Sequence, residues 1–208
     1  MPPPPRHDAP RPPEIGEDAA WVAVDSPLLP GQVLELLEDP ERLLRVNSSW
    51  VFEVWERTGP DRFRLSVRNL TSGRIWATAG TVEPLSGGLR LRYDEGIKAF
   101  TRFLVEPQSQ GSRLWVVEDY GCLPIAEREA RLAEVDRSLS TWGQDLHRYL
   151  RAWARWSGLG PWRWYMERVW RPMKPLGRRV TRLLFWATVA EILLFLGLVL
   201  LLRRDLAG

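Results

Sequence analysis

Between Leu183 and Leu202 the chain reads LLFWATVAEILLFLGLVLLL, twenty residues without proline and with one formal charge, Glu191. A helix rises about 1.5 Å per residue, so this run covers the ~30 Å hydrocarbon core of a bilayer. A helix buried in a soluble core normally separates an apolar from a polar face, whereas this one is apolar nearly all round. Arg178, Arg179 and Arg182 precede the run and Arg203 and Arg204 follow it, cations whose long stems can reach lipid headgroups from both ends. A single membrane span over 183–202, with a short tail at 203–208, is the expectation.

The span leaves about 180 of the 208 residues outside the bilayer, enough for one folded domain with a real core. Cys122 is the sole cysteine and only two histidines are present, which leaves neither an internal disulfide nor a ligand set for structural zinc. No cofactor is expected. No apolar signal run stands near the start. Arg163, Arg168, Arg171, Lys174, Arg178, Arg179 and Arg182 crowd before the span against two arginines beyond it, so the domain is expected on the cytoplasmic side of an inner membrane. The net charge of +3 is concentrated in this juxtamembrane stretch, which favours anionic lipid over nucleic acid as its partner.

Residues 1–18 carry seven prolines in their first thirteen positions and little to bury, a solvated polyproline-like tail. From Ala19 short strands begin. AWVAVDS reads as a strand, PGQVLELLED and DPERLLRVNSS as two short helices, the second capped by Asp39 ahead of Pro40. Six further strands follow, separated by GPD, TSG, SGG, EGIK and QSQG. Phe63, Leu65 and Val67 alternate with polar residues, as do Leu89, Leu91 and Tyr93, the pattern of antiparallel strands with one wet face. A long helix from about Ala126 to Trp156 repeats Leu132, Val135, Leu139, Trp142, Leu146, Tyr149 and Trp153 at steps of three and four, and suits a cover for the sheet.

Three stretches, SPLLPGQVLELLEDPERLLRVN, TRFLVEPQSQGSRLWVVEDY and the helix after Pro124, together with this element order, resemble the SRPBCC superfamily of START domains, polyketide cyclases and birch-pollen-allergen relatives. The resemblance covers 19–157 and implies an α+β helix-grip fold: an antiparallel sheet wrapped around a long C-terminal helix. It also implies a cavity for an apolar ligand such as a lipid, quinone or polyketide. Trp76, Tyr93, Phe103, Trp115, Leu139, Trp142 and Leu146 are the candidate lining residues, each of which would serve equally as plain core.

No HExxH, GxSxG, P-loop or CxxC pattern is present, which speaks against the commoner enzyme classes. Cys122 and His147 have the chemistry of a nucleophile and base, but nothing in the sequence brings them together. Glu118 and Asp119 are neighbours on a strand and point to opposite faces, so one carboxylate should face inward and pair with a cation such as Arg68 or Arg102. Between domain and span, 158–182 and the end of the preceding helix place Trp153, Trp156, Trp162, Trp164 and Trp170 among cations including Arg163 and Arg168, an expected membrane-interface collar. Glu191 at mid-span costs at least ~2.5 kcal/mol if ionised, and is read as a contact for an integral membrane partner or a second copy.

The sequence thus supports a membrane-tethered binding protein for an apolar ligand. Two alternatives stay open: an accessory or assembly subunit of a larger membrane complex, and a cyclase-like enzyme on an apolar substrate.

Overall fold

The computed structural model describes Pro12, 19–121 and 125–206, with the side chains of 125–137, 198 and 200–206 outside that description. The rest of the expected tail at 1–18, Cys122 and the side chains of Leu132 and Val135 therefore lie outside the described residues.

The order is β1 (Ala19–Ser26), α1 (Pro30–Leu37), α2 (Pro40–Val46), β2 (Trp50–Arg57), β3 (Arg62–Asn69), β4 (Ile75–Leu85), β5 (Gly88–Tyr93), β6 (Phe100–Pro107), β7 (Ser112–Asp119) and α3 (Ile125–Trp156). Then come α4 (Gly160–Tyr165), a π-helical turn (Met166–Trp170) and α5 (Pro175–Leu206). All seven strands form one antiparallel sheet in the order β1-β7-β6-β5-β4-β3-β2. The chain leaves β1, crosses through α1 and α2 to the far edge, and returns strand by strand until β7 pairs with β1. The two edge strands are therefore the two that flank the helical crossover.

Local chemistry explains the crossover. Pro30 and Pro40 each open a helix, where a missing N–H is no loss, and the Asp39 carboxylate accepts from the Arg42 N–H at 3.4 Å. Val33, Leu36 and Leu37 on α1 and Leu43, Leu44 and Val46 on α2 are buried. The expected alternation holds on β3 and β5: Phe63, Leu65, Val67, Leu89, Leu91 and Tyr93 all enter one core. Leu139, Trp142, Leu146, Tyr149 and Leu150 of α3 enter it from the other side. At its centre Trp142 stacks on Trp50 (6.0 Å, 28°), meets Phe103 edge-on (5.7 Å) and donates its indole N–H to the Leu43 carbonyl at 3.1 Å.

Gly143 sets how closely α3 lies on β1, because a Cβ there would stand 2.5 Å from a Val22 methyl. His147 ties the same helix to β1 through Nδ1 and the Asp25 carbonyl, 2.9 Å apart.

The segment after α3 folds back onto the domain. Arg171 bridges Asp39 (2.6 Å) and Glu41 (2.6 Å) of α2, and Trp170 stacks on Tyr149 (5.9 Å, 24°). Half-burial pulls the Arg171 guanidinium down, but the two carboxylates outweigh it and hold it above the ordinary arginine value. Helix α5 starts at Pro175, eight residues before the apolar run, and remains helical through Leu206, so most of the expected 203–208 tail is helix. Within Pro175–Gly197 of α5 the most apolar 18-residue stretch has a mean hydropathy of 1.7 and no buried residue, and α5 is the one helix among the described residues long and apolar enough to cross a membrane.

Candidate apolar cavity

The sheet face toward α3 is largely filled, so the space left open is offset toward the β3–β4 turn. A partly open cavity of about 160 Å³ lies there. Its wall is formed by Trp50, Val67, Asn69, Ile75 and Trp76 from the sheet, Ser72 and Arg74 from the β3–β4 turn, Gly96, Ile97 and Lys98 from the β5–β6 loop, Tyr120 after β7 and Ser138 of α3. Trp76 stands edge-on to both Trp50 (5.9 Å) and Tyr93 (4.8 Å), which carries the aromatic wall down into the core. Gly96 has φ 121°, and a Cβ there would collide with the Trp76 indole nitrogen, so this glycine lets the loop close onto the ring.

A buried ion pair backs the aromatic part of this wall. The Lys98 ammonium makes a short ion pair with Glu118, and both side chains are almost wholly buried. The other Glu118 oxygen accepts from the Tyr120 hydroxyl at 2.5 Å. Lys98 also lies 4.8 Å from the Trp50 ring and 5.7 Å from that of Trp76, close enough for cation–π attraction. Glu118 is thus the inward carboxylate that strand geometry required, but its cation is Lys98 and not Arg68 or Arg102. Arg68 reaches outward to Glu53 at 2.8 Å, and Arg102 belongs to the opposite face of β6 from Phe103. The loop carrying Lys98 joins β5 to β6, and the Ala99 N–H bond to the Asp119 carbonyl at 2.9 Å brings it beside the end of β7.

Among the candidate lining residues, Trp76 borders the cavity itself. Tyr93, Phe103, Leu139, Trp142 and Leu146 lie in the core beneath it. Burial pushes the Tyr93 phenol well above its ordinary value, the hydrogen bond to Thr101 (3.0 Å) pulls the other way, and the Glu118 charge adds to the rise. Trp115 does not face this interior. Phe103 pairs with Val116, so Trp115 occupies the outer face of β7, where its indole N–H donates to Glu106 at 3.0 Å and Arg113 covers its ring at 5.6 Å. β7 is buried on both faces, and a strand of that kind carries no alternation from which to tell inside from outside.

Trp76 alone of the wall residues was a candidate from sequence, and Trp50 and Lys98 are the two most telling of those missed. A register shift between Phe52 and Val54 breaks the alternation of β2, which hid the side on which Trp50 lies. For Lys98 the signal was the unpaired demand of Glu118 for a cation.

The seven-stranded antiparallel sheet, the helical crossover between its edges and the long helix lying across it decide the fold. This is a helix-grip fold. Among solved structures the chain is similar to the Zhui aromatase/cyclase from Streptomyces sp. R1128, with TM-score 0.52 and 15% identity over 67% of this chain and 97% of that one. It is also similar to Ms6760 from Mycobacterium smegmatis (TM-score 0.49, 12% identity, 64% of this chain and 90% of that one) and to TTHA0849 from Thermus thermophilus (0.47, 18%, 64% and 94%). No family model and no curated protein matches the sequence. The helix-grip domain accounts for about two thirds of the chain, and the remainder has no counterpart in the cyclase structure.

The expected interface tryptophans divide into two groups. Trp153, Trp162 and Trp170 form part of an aromatic ladder with Tyr149 that fastens 158–182 to the helix-grip domain. Trp156 and Trp164 are 40% and 62% exposed and remain available to a membrane surface, as do the exposed Arg163 and Arg168. The division follows from the α4 and π-helical turn, which bends the chain back along α3 after the Gly158–Gly160 break. Glu191 is exposed on α5.

Proposed function

We propose that this protein is a membrane-tethered binding protein, anchored by α5 with its SRPBCC-like domain on the cytoplasmic side of an inner membrane, that holds part of an apolar molecule (a lipid, quinone or polyketide-like compound) in the cavity at the β3–β4 turn. The observation that carries this reading is the cavity: a wall of Trp50, Trp76, Val67, Ile75 and Ile97, polar residues at the β3–β4 turn and at Lys98, and a partly open mouth. Its volume of about 160 Å³ is close to the ~150 Å³ of an apolar cavity that accepts benzene, so the enclosed part of the ligand is one ring or a short chain. Larger ligands would leave the remainder in the mouth. Purification of the full chain in mild detergent, organic extraction and mass spectrometry test this. A stoichiometric apolar compound is expected, lost on Ser138→Trp, which fills the mouth from α3. A folded wild-type preparation without such a compound overturns the reading.

A second reading, an accessory subunit of a membrane complex, is favoured by Glu191, an exposed acid on the apolar helix with no ion pair among the described residues. It expects a membrane protein that co-purifies at fixed stoichiometry and is released by Glu191→Leu. The cyclase-like reading needs an uncommitted acid or base at the cavity. Glu118, the carboxylate nearest that role, has both oxygens engaged.

A further inference from the structure

A second and larger hollow, about 410 Å³, lies between the end of α2, the last turns of α3, the α4 and π-helical segment and the first turns of α5. Its charge is one-sided. Arg148, Arg178, Arg179 and Arg182 line it against a single carboxylate, Asp145. Asp145 is already used, accepting from the Ser48 N–H at 2.9 Å and pairing with Arg148 at 3.3 Å.

Arg178 is the unusual member. Its guanidinium is only 8% exposed and stacks 3.8 Å from the centre of the Trp170 ring. All of its bonded nitrogens donate to neutral acceptors: the carbonyls of Trp170 (3.1 Å), Arg45 (2.5 Å) and Arg171 (3.0 Å). Among the described residues no carboxylate forms an ion pair with Arg178, Arg179 or Arg182. A buried cation whose hydrogen bonds are satisfied but whose charge is not compensated leaves a net positive field in the hollow, which an incoming anion would complete.

The position identifies the anion. Arg178 and Arg182 are one turn apart on α5, and at about 1.5 Å per residue they lie within about 8 Å along the axis of Leu183, where the apolar run begins. If α5 spans the bilayer, the hollow therefore sits at phosphate depth. Arginine clusters match phosphate oxygens with paired N–H donors, and the wall of Trp162, Met166 and Trp170 offers an apolar side for the glycerol and first acyl carbons.

We propose that this hollow is a binding site for the headgroup of one anionic phospholipid, held by Arg148 and Arg182 and completed by the field of Arg178. The proposal rests on the reading of α5 as a membrane span, and two separate measurements keep the two apart. Resistance of the reconstituted full chain to alkaline carbonate extraction judges the span. Native mass spectrometry of the detergent-solubilised full chain, titrated with phosphatidylglycerol or phosphatidylcholine of equal chain length, judges the site.

The expected result is a one-to-one phosphatidylglycerol adduct preferred over phosphatidylcholine by at least about tenfold, with the preference lost in Arg148→Gln/Arg182→Gln. Both positions are solvent-facing, so this variant should fold, and circular dichroism checks that it does. Equal binding of the two lipids, or an adduct unchanged in the folded double variant, overturns the proposal. Displacement of the adduct by millimolar inorganic phosphate also overturns it, because the hollow would then serve a soluble anion.

Discussion

Removing the Lys98 ammonium while keeping its length, as Lys98→Met, leaves Glu118 nearly fully buried with one hydrogen bond, from Tyr120, and no cation. Stranding one member of a buried ion pair costs about 3–5 kcal/mol. For a domain of about 140 residues, roughly 4 °C in Tm per kcal/mol converts this into a fall of about 12–20 °C. Glu118→Gln should cost less, because the ammonium keeps the Trp50 and Trp76 rings at 4.8 and 5.7 Å and an amide oxygen in place of the carboxylate. The double variant Lys98→Met/Glu118→Gln carries no stranded charge and retains a partner for the Tyr120 hydroxyl. It should return to within about 2 kcal/mol of wild type, giving a coupling energy of at least about 1 kcal/mol. Thermal unfolding of the four proteins in one detergent, followed by circular dichroism, measures this cycle. A Lys98→Met protein within about 1 kcal/mol of wild type, or singles that simply add in the double, would refute the claim that this pair is a coupled unit behind the cavity wall.

Gly143→Ala places a methyl 2.5 Å from Val22 and should destabilise by about 1–3 kcal/mol despite the ~1 kcal/mol gain in helix propensity; Val22→Ala in the same chain should restore most of it, and additive losses would show that the α3–β1 approach is not limiting. Burial first of all holds the phenols of Tyr93 and Tyr149 above the ordinary tyrosine value of about 10, so the neutral forms favour the folded state; that stability is complete below about pH 10 and is lost as pH rises through the folded-state values. Ultraviolet titration should therefore show these two ionising together with alkaline unfolding, and ionisation of either in a chain that stays folded near pH 10 would contradict the packing.

Much of the fold was legible in the chain because its signals are local. Alternation marked β3 and β5, prolines and Asp39 marked the short helices, and a three-and-four spacing marked the face of α3 that is buried. The candidate site was less legible. Trp142 and Phe103 were apolar residues whose role as core or lining depends on how much space the neighbouring rings leave, a property of packing that no single strand encodes. Trp115 shows the same limit in another form, since period two identifies a face only when the other face is wet.

The apolar run at 183–202, the order of strands and helices, and one inward carboxylate at Glu118 or Asp119 can be read from the chain alone, because length, period and strand parity are properties of consecutive residues. That Lys98 is the cation for Glu118, that Trp50 and Trp76 wall the cavity, and that Trp153, Trp162 and Trp170 are committed to the domain follow from packing in three dimensions. Those facts join residues far apart along the chain. They arise when a twisted sheet, a helix held close by a glycine and a folded-back linker compete for the same interior volume.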